Sequence, residues 1–388
     1  MEALQVRVDR RMIAHAPWLL IIVAVAIAVI GVWNLASAAR PPSTPVWKSQ
    51  ALFVCVGLVA MSVVASLKPQ FLQRIAIPFY VLNIAALIAL RFVGHTAKGA
   101  ESWFALGPIR IQPAEFMKLG LILVLARHFH EVDRVKIGGQ GVVRLLKPVA
   151  WSLLPFVLVL AQPDLGTALM LGLTAMTILL FAGVSRGVTA TILVGVALVS
   201  GIIWNDYVRT SDPLDPHATV LSHRLKKHQS ARIAGWLNPE LDQRGTNYHT
   251  AQSRIAVGSG GLTGKGWGKG TQTGLSFLPE QHTDFIWSVW AEEHGFIACA
   301  FLLLLYGVLL MSCLGVAFHA RDRFGAFLAV GVAAMLFWQI FENIGMVISL
   351  LPVTGITLPL LSYGGSSMLS VWLSLGLLVN VSMRRHVF

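Results

Sequence analysis

Long apolar runs separated by short polar segments dominate the pattern along this chain. An apolar run of about 18 or more residues is long enough to cross the hydrocarbon core of a bilayer as an α-helix. The pattern therefore predicts an all-α polytopic membrane protein with about ten transmembrane helices. The predicted spans lie near residues 16–36, 47–66, 74–92, 114–130, 148–162, 166–184, 187–206, 285–315, 325–350 and 367–383.

The longest polar interruption, residues 207–284, falls between the seventh and eighth predicted spans. We expect it to form a large extracytoplasmic loop. Its basic, weakly amphipathic stretch from His217 to Trp236 could lie along a membrane surface. No internal repeat or low-complexity tract divides the chain, so residues 1–388 are predicted to form a single transmembrane domain.

Composition supports the membrane class, with 55% hydrophobic and only 12% charged residues and a mean hydropathy of +0.69. A soluble domain of this size has no need for so much apolar surface. The first apolar run is too long for a signal-peptide core and is kept as a span. Cys55, Cys299 and Cys313 each lie in an apolar run, so we expect packed thiols rather than a disulfide framework or a cysteine metal site.

The distribution of lysine and arginine over the short loops predicts the orientation in the membrane. With a cytoplasmic N-terminus, the inner segments hold Arg7, Arg10, Arg11, Lys68, Arg74, Arg134, Lys136, Arg144, Lys147, Arg186, Arg321, Arg323, Arg384 and Arg385, against Arg40, Lys48, Arg91, Lys98 and Arg110 outside. Both termini are therefore predicted to be cytoplasmic. The long loop then lies outside, because it exceeds the length to which the charge rule applies.

The net charge of +12 also reflects a basic centre in the long loop. Between Arg224 and Lys269 there are eight lysines and arginines but only two acids, Glu240 and Asp242. Nucleic acid is an implausible partner on the outer face of a bilayer. An anionic lipid head group or a pyrophosphate suits this charge better.

The tract from Leu278 to Phe285 runs directly into the eighth predicted span and places Asp284 where water meets the bilayer. Ionisable groups at membrane depth usually face a bundle interior or a wet cavity. Helical spacing puts Asp284, Ser288 and Glu292 on one face of this span. Asp284 could be a helix N-cap, but Glu292 and the nearby His282 favour a polar, outward-opening cavity with Asp284 as a candidate base.

Charged residues also occur at the predicted starts of the fourth and sixth spans. Glu115 falls in the first turn after Pro113, and Lys118 lies three residues further on, so the two side chains can pair. They form either a structural ion pair or part of the Asp284 cavity. Asp164 lies in a tight turn, where it could cap the sixth span, hold a basic residue or contribute to a divalent-cation site.

Two segments rich in turn-forming residues complete the candidate site. From Ile255 to Gly274, eight glycines are interleaved with Lys265 and Lys269, a composition that forms phosphate-binding nests or a flexible outer loop. It lacks the nucleotide-binding P-loop pattern. The uncharged segment from Leu351 to Ser367 predicts a re-entrant loop beside the site or a plain outer turn. Glu342 is a further acid within the preceding span.

These same stretches resemble the SEDS family of polytopic cell-wall proteins (shape, elongation, division and sporulation). The matching motifs are Gln112–Lys118, Gln162–Thr167, Asn238–Glu240, Gln252–Gly261, Phe277–Phe285, Ala291–Glu293, Pro352–Gly355 and Ser362–Ser367. They follow one another in order over nearly all of the chain after residue 70. Gly264-Lys265-Gly266 and Thr271-Gln272 resemble the elongation member more than the division member. Trp287, Trp290 and His294 depart from the family's usual residues.

The resemblance implies a peptidoglycan glycosyltransferase of the bacterial cytoplasmic membrane that polymerises lipid II on the outer face during cell elongation. The 4-hydroxyl of an acceptor sugar attacks the anomeric carbon of a donor and expels undecaprenyl pyrophosphate. Asp284 matches the family's essential aspartate and is assigned as the general base. The other predicted substrate or cavity residues are Glu115, Lys118, Asp164, Arg254, Lys265, His282, Glu292 and Ser366.

The leaving pyrophosphate requires positive charge, which Lys118, Arg254, Lys265 or a divalent cation (Mg²⁺ or Mn²⁺) can supply. No nucleotide or organic cofactor is expected. A class B penicillin-binding protein, which supplies transpeptidation and activation, is the implied partner.

Two other hypotheses are a flippase for lipid-linked precursors and a scaffold for the transpeptidase. Intramembrane Glu115, Lys118, Glu292 and Glu342 would suit transport. The outer position of Asp284 and the lack of a clear inverted repeat favour the polymerase. A scaffold predicts that neutral changes at Asp284 leave function intact.

Overall fold

The computed structural model describes residues 14–38, 46–93, 95–97, 100–106, 109–131, 142–183, 248–275, 277–278 and 280–385, together with single positions between 187 and 236. Within these residues the protein is mostly helical. In chain order the helices are α1 (Trp18–Ala38), α2 (Val46–Ser66), α3 (Pro69–Val93), α4 (Pro113–Glu131), α5 (Val142–Ala161), α6 (Leu165–Phe181), α7 (Tyr248–Ser259), α8 (Thr271–Gly274), α9 (Ile286–Phe318), α10 (Arg323–Val347) and α11 (Gly365–Met383).

Nine predicted spans coincide with α1–α6 and α9–α11, whereas the seventh, 187–206, lies outside the described residues apart from isolated positions. Six of these helices, α1, α2, α3, α9, α10 and α11, are long and apolar enough to cross a membrane, and α5 and α6 contain shorter apolar helices. The chain is therefore a multi-pass membrane protein.

A small antiparallel sheet between α3 and α4 shows that the all-α prediction was too simple. Its strands are β1 (His95–Ala97), β2 (Ala100–Leu106) and β3 (Ile109–Ile111), in the order β1-β2-β3. The strands are short, so a hydropathy window of the length of a span averages them into the flanking polar sequence. They brace the end of α3 and the start of α4.

The predicted loop 207–284 also contains regular structure in its described part, because α7 and α8 lie within it. α7 packs against α9 and α10. Most of the earlier half, including the basic stretch from His217, lies outside the described residues.

Helix α10 lies at the centre of the bundle, in contact with α4, α6, α9 and α11. Small residues allow close approach: a Cβ atom at Gly331 would lie 2.7 Å from Ile122 of α4. Likewise, Gly376 of α11 faces the backbone of Met61 in α2, whose carbonyl oxygen would lie 2.8 Å from an added Cβ. Helix association in lipid depends on such packing, because the solvent is as apolar as the helix surfaces.

Side-chain donors satisfy carbonyl groups where α2 ends. The Asn380 Nδ2 atom donates to the Ala65 and Leu67 carbonyls at 2.9 and 2.6 Å. The Arg384 Nη2 atom donates to the Ser66 and Leu67 carbonyls at 3.0 and 2.7 Å. The last carbonyls of a helix lack partners within the helix and must find them elsewhere.

At the opposite end of the bundle, the chain between α10 and α11 is non-helical, and its later part is packed inside the protein. Leu358, Leu360 and Leu361 are buried, and a Cβ atom at Gly31 of α1 would lie 2.7 Å from the Leu360 carbonyl oxygen. Irregular backbone is tolerated in a membrane protein when protein surrounds it in this way. We call this the site end, since the starts of α4, α6, α9 and α11 meet there, and the other the distal end.

Candidate active site

Asp284 lies in the turn of residues 280–285 that leads into α9, which we call the Asp284 turn. Two side chains from neighbouring segments hold its backbone. The Asn343 Nδ2 atom donates to the Asp284 carbonyl at 2.9 Å, and the Ser362 hydroxyl donates to the Thr283 carbonyl at 2.6 Å. The main chain at Asp284 is therefore fixed by two side chains, and its own side chain is half-buried.

A non-helical segment, Thr354–Ile356, runs alongside this carboxylate. Gly355 has φ 79°, and a Cβ atom there would lie 3.4 Å from the Asp284 Oδ2 atom. On its other side the segment touches α6, because a Cβ atom at Gly166 would lie 2.8 Å from the Thr354 carbonyl oxygen. The segment thus connects the Asp284 turn with the start of α6.

Replacing Gly355 by alanine is expected to lower the activity of the site, since the left-handed backbone costs a side-chain-bearing residue about 1–2 kcal/mol. Relief of that strain would displace the segment beside Asp284. The measurement is the catalytic rate together with thermal stability in detergent. Gly258→Ala is the matched control, because Gly258 is helical and has nothing within 4 Å of an added Cβ. Equal activity of both variants would contradict this positioning role.

A buried polar cluster lies next to this segment. The Lys118 Nζ atom and the Glu115 Oε2 atom are 2.9 Å apart, with side-chain exposures of only 2% and 9%. Glu342 of α10 is also buried and interacts electrostatically with Lys118 and Asp164. Lys118 is therefore the cation with which Glu115, Asp164 and Glu342 all interact.

Asp164 forms the N-cap of α6, as one of the sequence-based alternatives predicted. Its carboxylate accepts hydrogen bonds from the Thr167 main-chain amide at 3.0 Å and the Thr167 hydroxyl at 2.9 Å. It also accepts one from the side-chain Nε2 atom of Gln112 at 3.1 Å. Burial raises the pKa of Asp164, whereas the Thr167 bonds oppose this shift; nearby Glu115 raises it and Lys118 lowers it. Asp164 thus both caps a helix and belongs to the charged cluster.

Ser366 and His282 join the surrounding segments. The buried Ser366 hydroxyl accepts a hydrogen bond from the main-chain amide of Gln112 at 3.1 Å and donates one to the Arg110 carbonyl at 3.3 Å. It therefore fixes α11 against the start of α4. The His282 carbonyl accepts from the Tyr363 amide at 2.9 Å, and the two rings are 6.1 Å apart. Both predicted residues therefore lie at the site end.

The expectation that Glu292 faces the same cavity as Asp284 is wrong. Glu292 is fully buried, and its Oε1 atom accepts from the Lys265 Nζ atom at 2.7 Å and from the amides of Thr271 and Gln272 at 2.8 and 3.1 Å. Its carboxylate caps α8 and neutralises Lys265. The extrapolation failed because α9 presents this face to the glycine-rich loop.

The other residue predicted for that face, Ser288, is also covered. Its hydroxyl lies 2.8 Å from the Ser253 hydroxyl of α7, and Ser253 donates in turn to the Val347 carbonyl at the end of α10. The next residue of α7, Arg254, is exposed. A helical face predicted to line a cavity therefore packs against another helix.

The glycine-rich loop is a packed structure against α9, so the flexible outer loop that the sequence also allowed is not what the structure shows. The amides of Lys265 and Gly266 donate to the Glu292 and Glu293 carbonyls at 3.0 and 2.9 Å. Gly295, with φ 74°, kinks α9 at this point. These two amides are therefore committed to α9 and are not available to a phosphate.

The described donor set does not fit a resident divalent cation. Among the described residues, no three His, Cys, Asp or Glu side chains are grouped so that they could hold a metal ion. Lys118 pairs with Glu115, and the Asp164 carboxylate is engaged by Thr167 and Gln112. These carboxylates are therefore engaged by protein groups and not arranged for Mg²⁺ or Mn²⁺.

Glu342 and Asn343 of α10 both belong to the site, and the sequence contains a signal for each. Glu342 was recognised as an intramembrane acid but was not placed in the site, and Asn343 was missed altogether. A polar pair in the middle of a long apolar run is the signal that both share, because such groups face the bundle interior. Asn343 also donates to the Ile356 carbonyl at 2.6 Å. It therefore links the Asp284 turn to the non-helical segment that lies beside the Asp284 carboxylate.

A helical bundle with buried charges inside and a fixed carboxylate at one end defines a polytopic membrane protein with a built polar site. The chain belongs to the FtsW/RodA/SpoVE family of cell cycle proteins, which it matches over residues 12–387. The family resemblance expected from the motifs is confirmed.

Similar proteins agree with this assignment. The chain is 38% identical over 335 residues to the peptidoglycan glycosyltransferase MrdB of Escherichia coli (strain K12), covering 86% of this chain and 85% of that protein. A chain from a structure on the coordination of polymerization and crosslinking by a peptidoglycan synthase complex superposes with a TM-score of 0.77 at 30% identity, covering 96% of this chain and 98% of that one. The structure of the rod shape determining protein RodA of Thermus thermophilus superposes with a TM-score of 0.68 at 29% identity, covering 96% of this chain and 98% of that one.

Proposed function

We propose that this protein is a peptidoglycan glycosyltransferase that polymerises lipid II into glycan strands during cell elongation. The observation that carries the proposal is the fixed Asp284 turn at the edge of a buried charged cluster, in a chain similar to a peptidoglycan glycosyltransferase over most of its length. A carboxylate held at the membrane boundary suits a substrate that is part lipid and part sugar.

The proposed topology places this chemistry outside the cell. The chain spans the bacterial cytoplasmic membrane ten times, with both termini in the cytoplasm and the extracytoplasmic loop at 207–284. The surplus of lysine and arginine in the predicted inner segments supports this orientation. The site end then faces outward, where lipid II is polymerised.

In the proposed mechanism, Asp284 acts as the general base. Its carboxylate takes the proton from the acceptor 4-hydroxyl as that oxygen attacks the donor anomeric carbon, and undecaprenyl pyrophosphate leaves with the bonding electron pair. This is a single displacement with inversion. Asn343 and Gly355 position the base, since one binds its main chain and the other lies against its carboxylate.

Positive charge for the departing pyrophosphate comes from Lys118 and Arg254 in this proposal. Lys118 lies within the acidic cluster, whereas Arg254 is exposed on α7, one residue from the Ser253–Ser288 contact beside α9. Lys265, which is paired with Glu292 as Lys118 is with Glu115, is a further candidate for this role. A divalent cation, if required, would arrive with the pyrophosphate as part of the substrate.

The proposed partner is a class B penicillin-binding protein that crosslinks the new strands. Its support is the structural similarity to a chain of a synthase complex that coordinates polymerization and crosslinking. Such a partner would supply transpeptidation and activate the polymerase.

The test is polymerisation of fluorescent lipid II by the purified protein with its cognate class B partner, resolved as glycan ladders on a gel. Ladders are expected. A control polymerase shows that the lipid II is usable, and translocation of the same lipid across liposomes is measured in parallel. Translocation without ladders would instead establish a flippase, and neither activity from a folded, partner-bound protein would favour a scaffold.

A further inference from the structure

A polar cavity of about 300 Å³ lies at the distal end of the bundle. It is lined by the residues just before α1 and by the C-terminal ends of α9 and α11, and we call it the distal cavity. Basic side chains line it, namely His15, His319 and Arg385, together with the hydroxyls of Ser312 and Ser382. None of the described lining residues is acidic, so the cavity is suited to an anion.

Arg385 carries the strongest indication of a ligand. Its Nε atom is buried and has no hydrogen-bond partner among the described residues. The neighbouring Arg384 already serves the ordinary purpose of an arginine at a helix end, because it donates to the Ser66 and Leu67 carbonyls. A planar guanidinium with an unused buried donor matches the geometry of a phosphate group.

The walls of the distal cavity are held in place by hydrogen bonds. The Ser382 hydroxyl donates to the His15 carbonyl at 3.1 Å, which fastens the chain before α1 to α11. The His319 Nδ1 atom lies 2.8 Å from the Gly315 carbonyl. Because a carbonyl can only accept, Nδ1 carries the hydrogen, and the orientation of the ring is fixed.

Lipid-facing side chains flank the cavity on both sides. Trp18 and Leu19 at the start of α1 are 51% and 60% exposed, and Met311 and Phe318 near the end of α9 are 68% and 84% exposed. Tryptophan at a helix end is typical of the level of the lipid head groups. A phosphate in the cavity would therefore lie at head-group depth, beside apolar surfaces that can accommodate acyl chains.

We propose that the distal cavity binds the phosphate of an anionic phospholipid, with Arg385 as the principal donor and His15 and His319 beside it. Basic pockets between membrane helices are a recognised means of binding such head groups. The cavity lies at the far end of α9, whose part after the kink at Gly295 runs to Phe318, so at ~1.5 Å per residue that part alone places the cavity about 35 Å from the kink. The bound lipid is therefore separate from the substrate of the site end.

The experiment titrates the purified full-length protein in detergent with dihexanoyl-phosphatidylglycerol, with dihexanoyl-phosphatidylcholine and with inorganic phosphate, and it follows the thermal unfolding midpoint. Phosphatidylglycerol is expected to raise the midpoint of the wild type in a saturable manner, and the other two probes to have much smaller effects. Arg385→Gln is expected to weaken the apparent affinity for phosphatidylglycerol about tenfold, which corresponds to about 1.4 kcal/mol.

Arg321→Gln is the matched control, because it removes the same charge from an exposed residue at the distal end that does not line the cavity. It should bind phosphatidylglycerol as the wild type does. His319→Gln provides a second cavity variant should Arg385→Gln fail to fold. Equal weakening in cavity and control variants, or equal stabilisation by phosphatidylcholine, would overturn the proposal. Saturable binding of inorganic phosphate as tight as that of the lipid would overturn the assignment to a phospholipid.

Discussion

Replacing Asp284 by asparagine is expected to abolish glycan ladders, with the rate of lipid II polymerisation lowered at least about a hundredfold, the usual contribution of a general base. Asparagine has the same size but does not accept the proton. The fold should survive, because Asn343 binds the carbonyl of residue 284 and not its side chain. The measurement is the initial rate with fluorescent lipid II and the cognate partner, alongside thermal stability.

Asp322→Asn is the control for loss of a carboxylate in the same protein. Asp322 caps α10 at the distal end by accepting from the Gly325 amide at 2.9 Å, and asparagine can accept the same bond. This variant should polymerise at the wild-type rate. Comparable rates from Asp284→Asn and the wild type would remove Asp284 as the base and direct attention to Glu115 or Asp164.

Replacing Lys118 by methionine is expected to destabilise the protein by about 3–5 kcal/mol, because it leaves Glu115 as an uncompensated buried charge. Both side chains are almost fully buried and their charged atoms are 2.9 Å apart. The nearby acids Asp164 and Glu342 would lose the same neutralising cation. The measurement is the thermal unfolding midpoint in detergent.

The double variant Glu115→Gln/Lys118→Met separates stability from function. Removing both charges should restore most of the lost stability, since neutral buried groups of similar volume avoid the desolvation penalty. Polymerisation should remain impaired if Lys118 stabilises the pyrophosphate. A double variant with wild-type stability and wild-type rate would show that the pair is only structural.

The helices of this protein could be predicted because the requirement to cross a bilayer leaves a strong signal in hydropathy. The sheet at 95–111 and helix α7 could not, since both are short and lie in the polar segments between spans. The pairing of Glu115 with Lys118 and the cap at Asp164 depend on neighbours within four residues, so local sequence rules sufficed for them.

The errors concern contacts between segments far apart in sequence. Helical periodicity correctly placed Ser288 and Glu292 on one face of α9, but it does not specify what covers that face. That face is covered by α7 and the glycine-rich loop, whose contacting residues lie 19–35 positions earlier in the chain. Asn343 was missed for the same reason, because its partners belong to two other segments.

The backbone bonds between the glycine-rich loop and the kinked α9 have a consequence for the base itself. They fasten Lys265 to Glu292 and Gly261 to Phe296, and Asp284 lies on the stretch of chain between these fastenings. That stretch is a loop whose two ends are held together by these hydrogen bonds. Most of its conformational entropy is therefore lost when the protein folds. Each sugar addition then starts from a base already in position, and successive additions require no renewed ordering of the chain that carries it.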